Sequence, residues 1–258
     1  MDIATLIGII IAGGGILFAM FETTHGNLAA FYSTEAVIVV IGGCFAATLM
    51  GMPLGSVLDL FGYLKKWLFG KDMKVAELIK SLTGYAEVAR RDGMLALEEA
   101  LKTQKDPFLR KGLQLAIDGT DPEIIEETLR IEMEALSERH RKGKKFFDII
   151  GSFGPGFGLT ATVIGQIAMF QNLGGDASAI GKSLSVALVA TLYGCILANV
   201  ICGPIGHKLA IRSEEEQFIK EMTVVGIMSI QSGDNPHVVE MKLQSFLSDR
   251  QRKVLDKK

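Results

Sequence analysis

Residues 149–175 read IIGSFGPGFGLTATVIGQIAMFQNLGG, and residues 183–206 read SLSVALVATLYGCILANVICGPIG. Neither stretch contains Asp, Glu, Lys, Arg or His, and each exceeds the roughly 18 apolar residues needed to cross a hydrocarbon core. Both stretches contain many Gly, Ser and Thr residues, as expected for the wall of an ion pathway. Because a membrane-embedded pathway for H⁺ or a metal cation needs an ionisable side chain at depth, this wall requires a carboxylate from another chain.

The composition indicates a membrane protein with a soluble part. Hydrophobic residues make up 48% of the 258 positions and the mean hydropathy is +0.31, yet 22% of the residues are charged. The two classes must therefore lie in separate regions. Residues 3–21 and 36–58 are also free of charge and long enough to span. We expect an all-α membrane protein with four transmembrane helices, a large helical cytoplasmic insert between helices 2 and 3, and a helical cytoplasmic tail.

The placement of Lys and Arg predicts the orientation. The segment from residue 59 to 148 carries 17 of them and the tail from residue 207 carries 9, whereas residues 22–35 carry none. Because the basic side of a membrane protein faces the cytoplasm, both termini are expected there. The first apolar run follows Met1-Asp2 without a basic segment, so it is a span rather than a signal peptide. The predicted regions are 1–58 (helices 1 and 2), 59–148 (cytoplasmic insert), 149–206 (helices 3 and 4) and 207–258 (cytoplasmic tail).

The insert has the composition of helices. Residues 75–91 and 94–104 are rich in Ala, Leu, Glu, Lys and Arg, with Asp92-Gly93 as a turn between them. Asp121-Pro122-Glu123 combines an N-cap, a proline at the first helical position and an acid in the first turn. These signals predict a helix that begins at Pro122 and runs directly into the third span.

Periodicity and turn residues complete the prediction for the soluble part. The helix that begins at Pro122 carries apolar residues at spacings of 4, 4 and 3, which marks one buried face. These residues are Ile125, Leu129, Met133 and Leu136. Ser232-Gly233-Asp234 is a turn, and Asn235-Pro236 starts a final helix through about Leu247.

The third span contains a proline among small residues. Pro155 has no N–H, so inside a helix it frees the carbonyl of Gly151 and bends the axis. A stripe of small residues lies around it, at spacings of 3, 4, 3 and 4. It consists of Gly151, Gly154, Gly158, Ala161 and Gly165. The fourth span has a matching stripe of Ser183, Ala187, Ala190, Thr191, Gly194 and Ala198. Small residues serve mainly for close packing, and two such faces suggest helices arranged around a central element.

The spans also carry more side-chain oxygens than packing requires. They are Thr160, Thr162, Gln166, Ser183, Ser185, Thr191 and Asn199. Ser and Thr can satisfy themselves on the preceding helical turn, so each hydroxyl alone is weak evidence. Thr162 and Thr191 adjoin the small-residue stripe of their own helix, as a lining position requires. Na⁺ would use such oxygens together with carbonyls and water, whereas H⁺ would need the carboxylate alone.

Two charged pairs flank the turn at Gly93. Arg90-Arg91 and Glu98-Glu99 form either a solvated helix surface or a surface that orients a partner. The cysteines Cys44, Cys195 and Cys202 lie in spans without a CxxC or His/Cys cluster, so they are structural and no metal site or cofactor is expected. The net charge of −2 indicates no nucleic acid partner. None of the motifs in this sequence indicates an enzyme.

The motifs resemble those of the A subunit of the bacterial flagellar motor stator, the MotA/PomA family within the MotA/TolQ/ExbB superfamily. The resemblance is carried by ARRDGMLALEE at residues 89–99, Gly154-Pro155 with Thr162, the run from Ala187-Leu188 through Thr191-Leu192-Tyr193-Gly194 to Asn199, and Gly226-Ile227 with QSGDNP at 231–236. Their order and spacing extend over most of the chain, so together they are far more specific than any one motif.

The resemblance implies an ion-driven torque generator in the bacterial inner membrane. Five copies of the A subunit surround two copies of a MotB/PomB-like B subunit, which has one membrane helix with an aspartate and a peptidoglycan-binding domain. Flow of H⁺ or Na⁺ past that aspartate turns the A ring, whose cytoplasmic charges push on the rotor switch protein FliG. The Thr-Leu-Tyr-Gly run is closer to sodium-type members than to proton-type members.

The resemblance also assigns residues by position. Arg90 and Glu98 match the family's rotor-contacting charges, with Arg91 and Glu99 as their neighbours. Pro155, Thr162 and Thr191 match residues of the family's ion path. Pro204 matches the hinge proline at the cytoplasmic end of the fourth span. Two positions depart from the family. Ala161 stands where Gly is usual, and Gln166 stands where an aliphatic residue is expected, so Gln166 either alters hydration or ion selectivity or bonds to a neighbouring helix.

Two other classes remain open. A subunit of the ExbB/TolQ type would energise an envelope protein instead of a rotor, but those relatives have three spans and lack the Arg/Glu insert. A secondary transporter or a membrane scaffold is the third class. A transporter predicts inverted repeats and broken helices, and the sequence has neither.

Overall fold

The computed structural model describes residues 3–69, 75–174 and 177–255. Throughout these ranges the regular structure is helical, without strands, as the sequence predicts. Four helices are long and apolar enough to cross a membrane. We call them TM1 (Ile3–Thr23), TM2 (Leu28–Gly51), TM3 (Pro122–Gln171) and TM4 (Ala177–Gln231). The prediction of an all-α protein with four transmembrane helices is therefore confirmed.

The chain divides into two compact units. We call residues 3–69, 140–174 and 177–211 the membrane unit, and residues 75–139 and 212–255 the insert unit. TM3 and TM4 each continue from one unit into the other without a break in the helix. The middle and the end of the sequence thus contribute together to the insert unit.

TM2 is irregular and ends earlier than its apolar run. It begins with a 3₁₀ turn at Leu28–Phe31 and continues after Ser33, whose Oγ accepts the N–H of Ala36 at 3.2 Å as an N-cap. The sequence predicts a span over residues 36–58, whereas the helix stops at Gly51. Met52 is extended (φ −137°, ψ 148°) because Pro53 follows it. The short helices Leu54–Leu58 and Leu60–Phe69 complete this segment.

TM3 is one helix of 50 residues that begins at Pro122 and passes through Pro155. This confirms the prediction that the helix starting at Pro122 runs directly into the third span. TM4 contains a π-helical segment, Leu197–Cys202, immediately before Gly203 and Pro204, the residue predicted to be a hinge. Such segments accommodate a proline within a continuous helix and are frequent at functional sites.

The insert unit is built around an aliphatic core. Its shorter helices are Val75–Asp92, Leu97–Leu101, Pro107–Ile117, Pro236–Gln244 and Asp249–Leu255, with a 3₁₀ turn at Met94–Ala96. Leu82, Leu97, Leu113, Leu129 and Ile227 are fully buried at its centre. Ile125, Leu129 and Met133 of the predicted apolar stripe are all buried, whereas Leu136 is half-buried. The stripe therefore marks the face of TM3 that closes this core.

The predicted turns form at two glycines with positive φ. Gly93 (φ 86°) separates the helix Val75–Asp92 from the 3₁₀ turn, and Gly233 (φ 74°) precedes the helix Pro236–Gln244. Only glycine adopts these angles without strain. The side chain of Asn235 accepts the N–H of His237 at 3.1 Å, as expected for an N-cap. The second helix of the insert is shorter than predicted, since it ends at Leu101.

Candidate functional site

TM3 and TM4 contact each other through their small-residue stripes in the membrane unit. A Cβ atom added at Gly154 would lie 2.8 Å from the carbonyl oxygen of Gly194, and one at Gly158 would lie 3.0 Å from that of Ala190. Contacts this short leave no room for a methyl group. The sequence suggested that both stripes surround a central element, but they pack on each other instead. Two smooth helical faces gain the most van der Waals contact when the backbones touch directly.

Four oxygen atoms gather at one level of this contact. The hydroxyl oxygens of Thr162 and Thr191 lie 2.5 Å apart. Thr162 Oγ1 is also 2.9 Å from the carbonyl oxygens of Gly158 and Ala187. The two hydroxyls have only two protons to donate among these atoms, so acceptor lone pairs remain free. Neutral oxygens with free lone pairs are what a hard cation such as Na⁺ requires.

One face of TM3 is not covered by the other residues that the structure describes. At about 100° per residue, Pro155 and Thr162 share one side of the helix, beside the contact with TM4. TM2 packs on the other side, where Ala161 and Phe157 meet Val40 and Gly43. Pro155 is exposed and Thr162 is half-buried in the single chain. We call the side with Pro155, Leu159, Thr162 and Gln166 the open face of TM3.

TM4 is held near Thr191 by a hydrogen bond that the sequence did not reveal. The hydroxyl of Tyr193 donates to the carbonyl oxygen of Phe31 at 2.5 Å, at the start of TM2. Because Tyr193 lies two residues after Thr191, the bond fixes the turn of TM4 that carries that threonine. No local motif pairs two residues this far apart in the chain.

A cavity of about 410 Å³ is lined by residues of TM2, TM3 and TM4. Ala161, Gly165 and Ser183 form part of its wall, and Glu35 and Lys182 stand at it with opposite charges. The Glu35 carboxylate accepts a hydrogen bond from Ser33 Oγ at 3.0 Å. Because its lining includes neither Thr162 nor Thr191, the cavity is separate from the four oxygen atoms of the helix contact.

The four predicted rotor-contact charges are exposed in the insert unit, but they differ in their partners. Arg91 forms an ion pair with Asp92 at 2.7 Å, and Glu99 forms one with Lys102 at 2.7 Å. The hydrogen bonds from Arg91 lower the pKa of the Asp92 carboxyl. Arg90 and Glu98 form no ion pair with any residue that the structure describes. Their charges are therefore available to another protein.

Pro204, the predicted hinge residue, lies on the surface of TM4. Pro204 is exposed next to the π-helical segment of TM4. Nearby, Asp148 pairs with Lys144, and its Oδ1 would lie 3.0 Å from a Cβ atom at Gly206. Within the described ranges, no group of three or more His, Cys, Asp and Glu side chains is arranged to hold a metal.

Comparison with protein families identifies one match. The model of the MotA/TolQ/ExbB proton channel family matches residues 100–222. This range contains the insert helix Pro107–Ile117, all of TM3, and the part of TM4 that carries Thr191 and Pro204.

Curated proteins and solved structures are similar over nearly the whole chain. Motility protein A of Borreliella burgdorferi is 37% identical over 99% of this chain and 98% of its own length. Chemotaxis protein PomA of Vibrio alginolyticus is 32% identical over 98% of each chain. The structure of the flagellar MotAB stator complex from Bacillus subtilis contains a chain that matches with a TM-score of 0.88 and 31% identity, over 97% of this chain and 98% of that one.

Proposed function

Because this chain belongs to the MotA/TolQ/ExbB proton channel family, as an A subunit of the flagellar motor stator, we propose that it couples ion flow past a partner's aspartate to rotation against the flagellar rotor. It is an ion-conducting, multi-pass membrane subunit. Its membrane is the bacterial inner membrane, and both termini are cytoplasmic. The excess of Lys and Arg in the insert and tail supports this orientation.

Two observations together carry the proposal. Four oxygen atoms gather between TM3 and TM4, and the runs 149–175 and 183–206 contain no Asp, Glu, Lys, Arg or His. H⁺ transfer needs a titratable group, and Na⁺ binds more tightly when a carboxylate supplements neutral oxygens. A B subunit of the MotB type supplies that carboxylate from a single membrane helix. The translocated ion is H⁺ or Na⁺, and no bound cofactor takes part.

The open face of TM3 is the surface on which the partner helix acts. Five copies of this chain surround two copies of the B subunit, so that each open face meets a B helix in turn. Pro155 lies on this face and interrupts the hydrogen-bond pattern of TM3. Protonation of the partner aspartate, or its loading with Na⁺, changes the charge that the face meets and drives a step of rotation.

The insert unit transmits torque from the complex to the rotor. Arg90 and Glu98 are exposed and lack ion-pair partners among the described residues, so they can form charge pairs with the rotor switch protein FliG. Exposed charges contribute little to stability but orient and steer partners. Arg91 and Glu99, which adjoin Arg90 and Glu98 in the sequence, belong to the same charged surface.

Two features favour the stator over an ExbB/TolQ-type role. The chain has four candidate membrane helices, and its similarity to motility protein A extends over 99% of its length. An ExbB/TolQ-type subunit would act on an envelope protein and would need no exposed Arg90 and Glu98.

The experiment is complementation of a bacterium that lacks its own stator genes. Expression of this chain together with its B subunit is expected to restore swimming, whereas either subunit alone is not. The mass of the purified complex is expected to correspond to five A and two B subunits. If paired expression leaves the cells paralysed while the complex assembles in the membrane, the proposed coupling is wrong.

A further inference from the structure

Gln166 differs from most other polar side chains of the apolar run 149–175. Ser152 donates to the carbonyl oxygen of Ile149 at 2.8 Å, Thr160 to that of Gly156 at 2.9 Å, and Asn172 to that of Ala168 at 2.8 Å. The amide of Gln166 is exposed and has no hydrogen-bond partner among the described residues. Gln171 also has no hydrogen-bond partner among the described residues, but it is the last residue of TM3, so Gln166 is the unsatisfied polar group that lies at depth in the described part of this span.

An unsatisfied amide is costly at this depth. Residue 166 lies well inside an apolar run of 27 residues, from 149 to 175, where lipid offers neither donors nor acceptors. Leu or Ile at this position would avoid the cost. The side chain must therefore contact a polar group or an ion that this chain does not provide.

The direction of Gln166 identifies where that group lies. At about 100° per residue, Pro155, Thr162 and Gln166 lie within about 40° of one another on the open face of TM3. The contact with TM4, made by Gly158 and Gly165, faces about 80–100° away from Gln166 but only about 40–60° away from Thr162. Gln166 lies one helical turn beyond Thr162, a rise of about 6 Å. Its amide extends the row of oxygens that Thr162 and Thr191 begin.

We propose that the Gln166 side-chain oxygen is a Na⁺ ligand in the ion path, one turn from the threonine pair. This inference rests on the proposed function, because it requires ions to pass along the open face. An amide oxygen is a neutral, hard ligand that replaces a water of hydration around Na⁺. It does not accept a proton near neutral pH, so it favours Na⁺ over H⁺ as the transported ion.

The test uses the chain assembled with its B subunit in lipid vesicles, with ion flux measured against Na⁺ concentration. Gln166→Leu keeps the size of the side chain and removes the oxygen. We expect the Na⁺ concentration for half-maximal flux to rise on the order of tenfold, as for the loss of one charge-assisted contact. The matched control is Gln171→Leu, at the end of the same helix and exposed, which should leave the half-maximal concentration unchanged.

Assembly is measured in parallel by co-purification of the two subunits. If Gln166→Leu prevents co-purification, the amide bonds to a neighbouring helix and the ligand assignment is overturned. The assignment is also overturned if the wild-type complex conducts H⁺ without any Na⁺ dependence, or if Gln166→Leu matches the wild type while both conduct. A wild-type complex that conducts no ion at all overturns the proposed function itself, and the inference with it.

Discussion

The hydroxyl oxygens of Thr162 on TM3 and Thr191 on TM4 lie 2.5 Å apart, between the close helix contacts at Gly158 and Gly165. The same threonine on TM3 is 2.9 Å from the carbonyl oxygen of Ala187. A single pair of side chains thus joins the helices and concentrates oxygen atoms beside the open face of TM3. Packing and ion binding depend on the same two residues, so substitutions must be chosen to separate the two roles.

The variants Thr191→Ala and Thr191→Ser separate the packing role of Thr191 from its ion-binding role. Alanine removes the oxygen, and serine retains it. If Thr191 contacts Na⁺, the alanine variant should need a Na⁺ concentration on the order of tenfold higher for half-maximal swimming speed, and the serine variant should stay near the wild type. Swimming speed measured against Na⁺ concentration decides this. An unchanged curve for Thr191→Ala excludes a ligand role.

The close approach of TM3 and TM4 predicts a difference between two neighbouring glycines. A Cβ atom at Gly154 would lie 2.8 Å from the carbonyl oxygen of Gly194, whereas one at Gly156 has nothing within 4 Å. Gly154→Ala should therefore lower the free energy of unfolding by about 1–3 kcal/mol through overpacking. Gly156→Ala is the control and should be neutral or slightly stabilising. Thermal unfolding in detergent measures both, and equal midpoints would show that the helices separate without cost.

Pro155→Ala tests the interrupted helix. Alanine restores an N–H that can bond to the carbonyl of Gly151 and straighten TM3. We expect torque to be lost while membrane assembly with the B subunit stays intact. Tethered-cell rotation measures the first and co-purification the second. Pro107→Ala, at the start of an insert helix, serves as the control. Normal swimming of the Pro155→Ala cells would exclude a mechanical role for this proline.

Arg90→Glu tests the contact with the rotor. Arg90 has no ion pair within the described chain, so reversing its charge should leave stability unchanged and reduce swimming speed severalfold through loss of steering. A compensating charge reversal in FliG should restore part of the speed. Arg110→Glu reverses an exposed charge elsewhere in the insert unit and should have no effect. If both variants swim like the wild type, Arg90 belongs to a solvated helix surface.

The ion pair between Asp234 and Lys242 predicts a dependence on pH. Lys242 Nζ donates to Asp234 Oδ2 at 2.6 Å, and this bond lowers the pKa of the Asp234 carboxyl in the folded chain. The resulting stabilisation is present above the ordinary pKa of aspartate and is lost as pH falls through the lowered value. Asp234→Asn should therefore lower the unfolding midpoint at pH 7, and the difference from the wild type should shrink towards pH 3. If the difference between the two unfolding midpoints is the same at every pH, the change in stability comes from the shape of the side chain and not from its charge.

Much of the fold follows from local signals. Charge-free runs of sufficient length predicted all four membrane helices, and Pro122, Gly93 and Gly233 marked helix starts and turns because each restricts or releases φ. The end of TM2 at Gly51 was missed because apolar residues continue past Pro53. The helix Asp249–Leu255 was also missed, since its sequence is short, charged and without a clear apolar stripe.

The candidate site was predictable only in part. The small-residue stripes and the hydroxyls are visible in the sequence, yet periodicity defines a face without identifying what packs on it. The direct contact of the stripes, the hydrogen bond from Tyr193 to Phe31 and the cavity at Glu35 all join residues distant in the chain. The roles of Pro155, Thr162, Thr191 and the rotor charges came from the family resemblance and stay predictions.

The central claim is that this chain forms the wall of an ion path and that its partner provides the carboxylate. Ion flux into vesicles tests it directly, with the complex containing either the native B subunit or a B subunit whose membrane aspartate is replaced by asparagine. We expect flux with the native pair, and neither with the asparagine variant nor with this chain alone. Equal flux in all three preparations would contradict the claim, because the wall would then conduct without the partner's carboxylate.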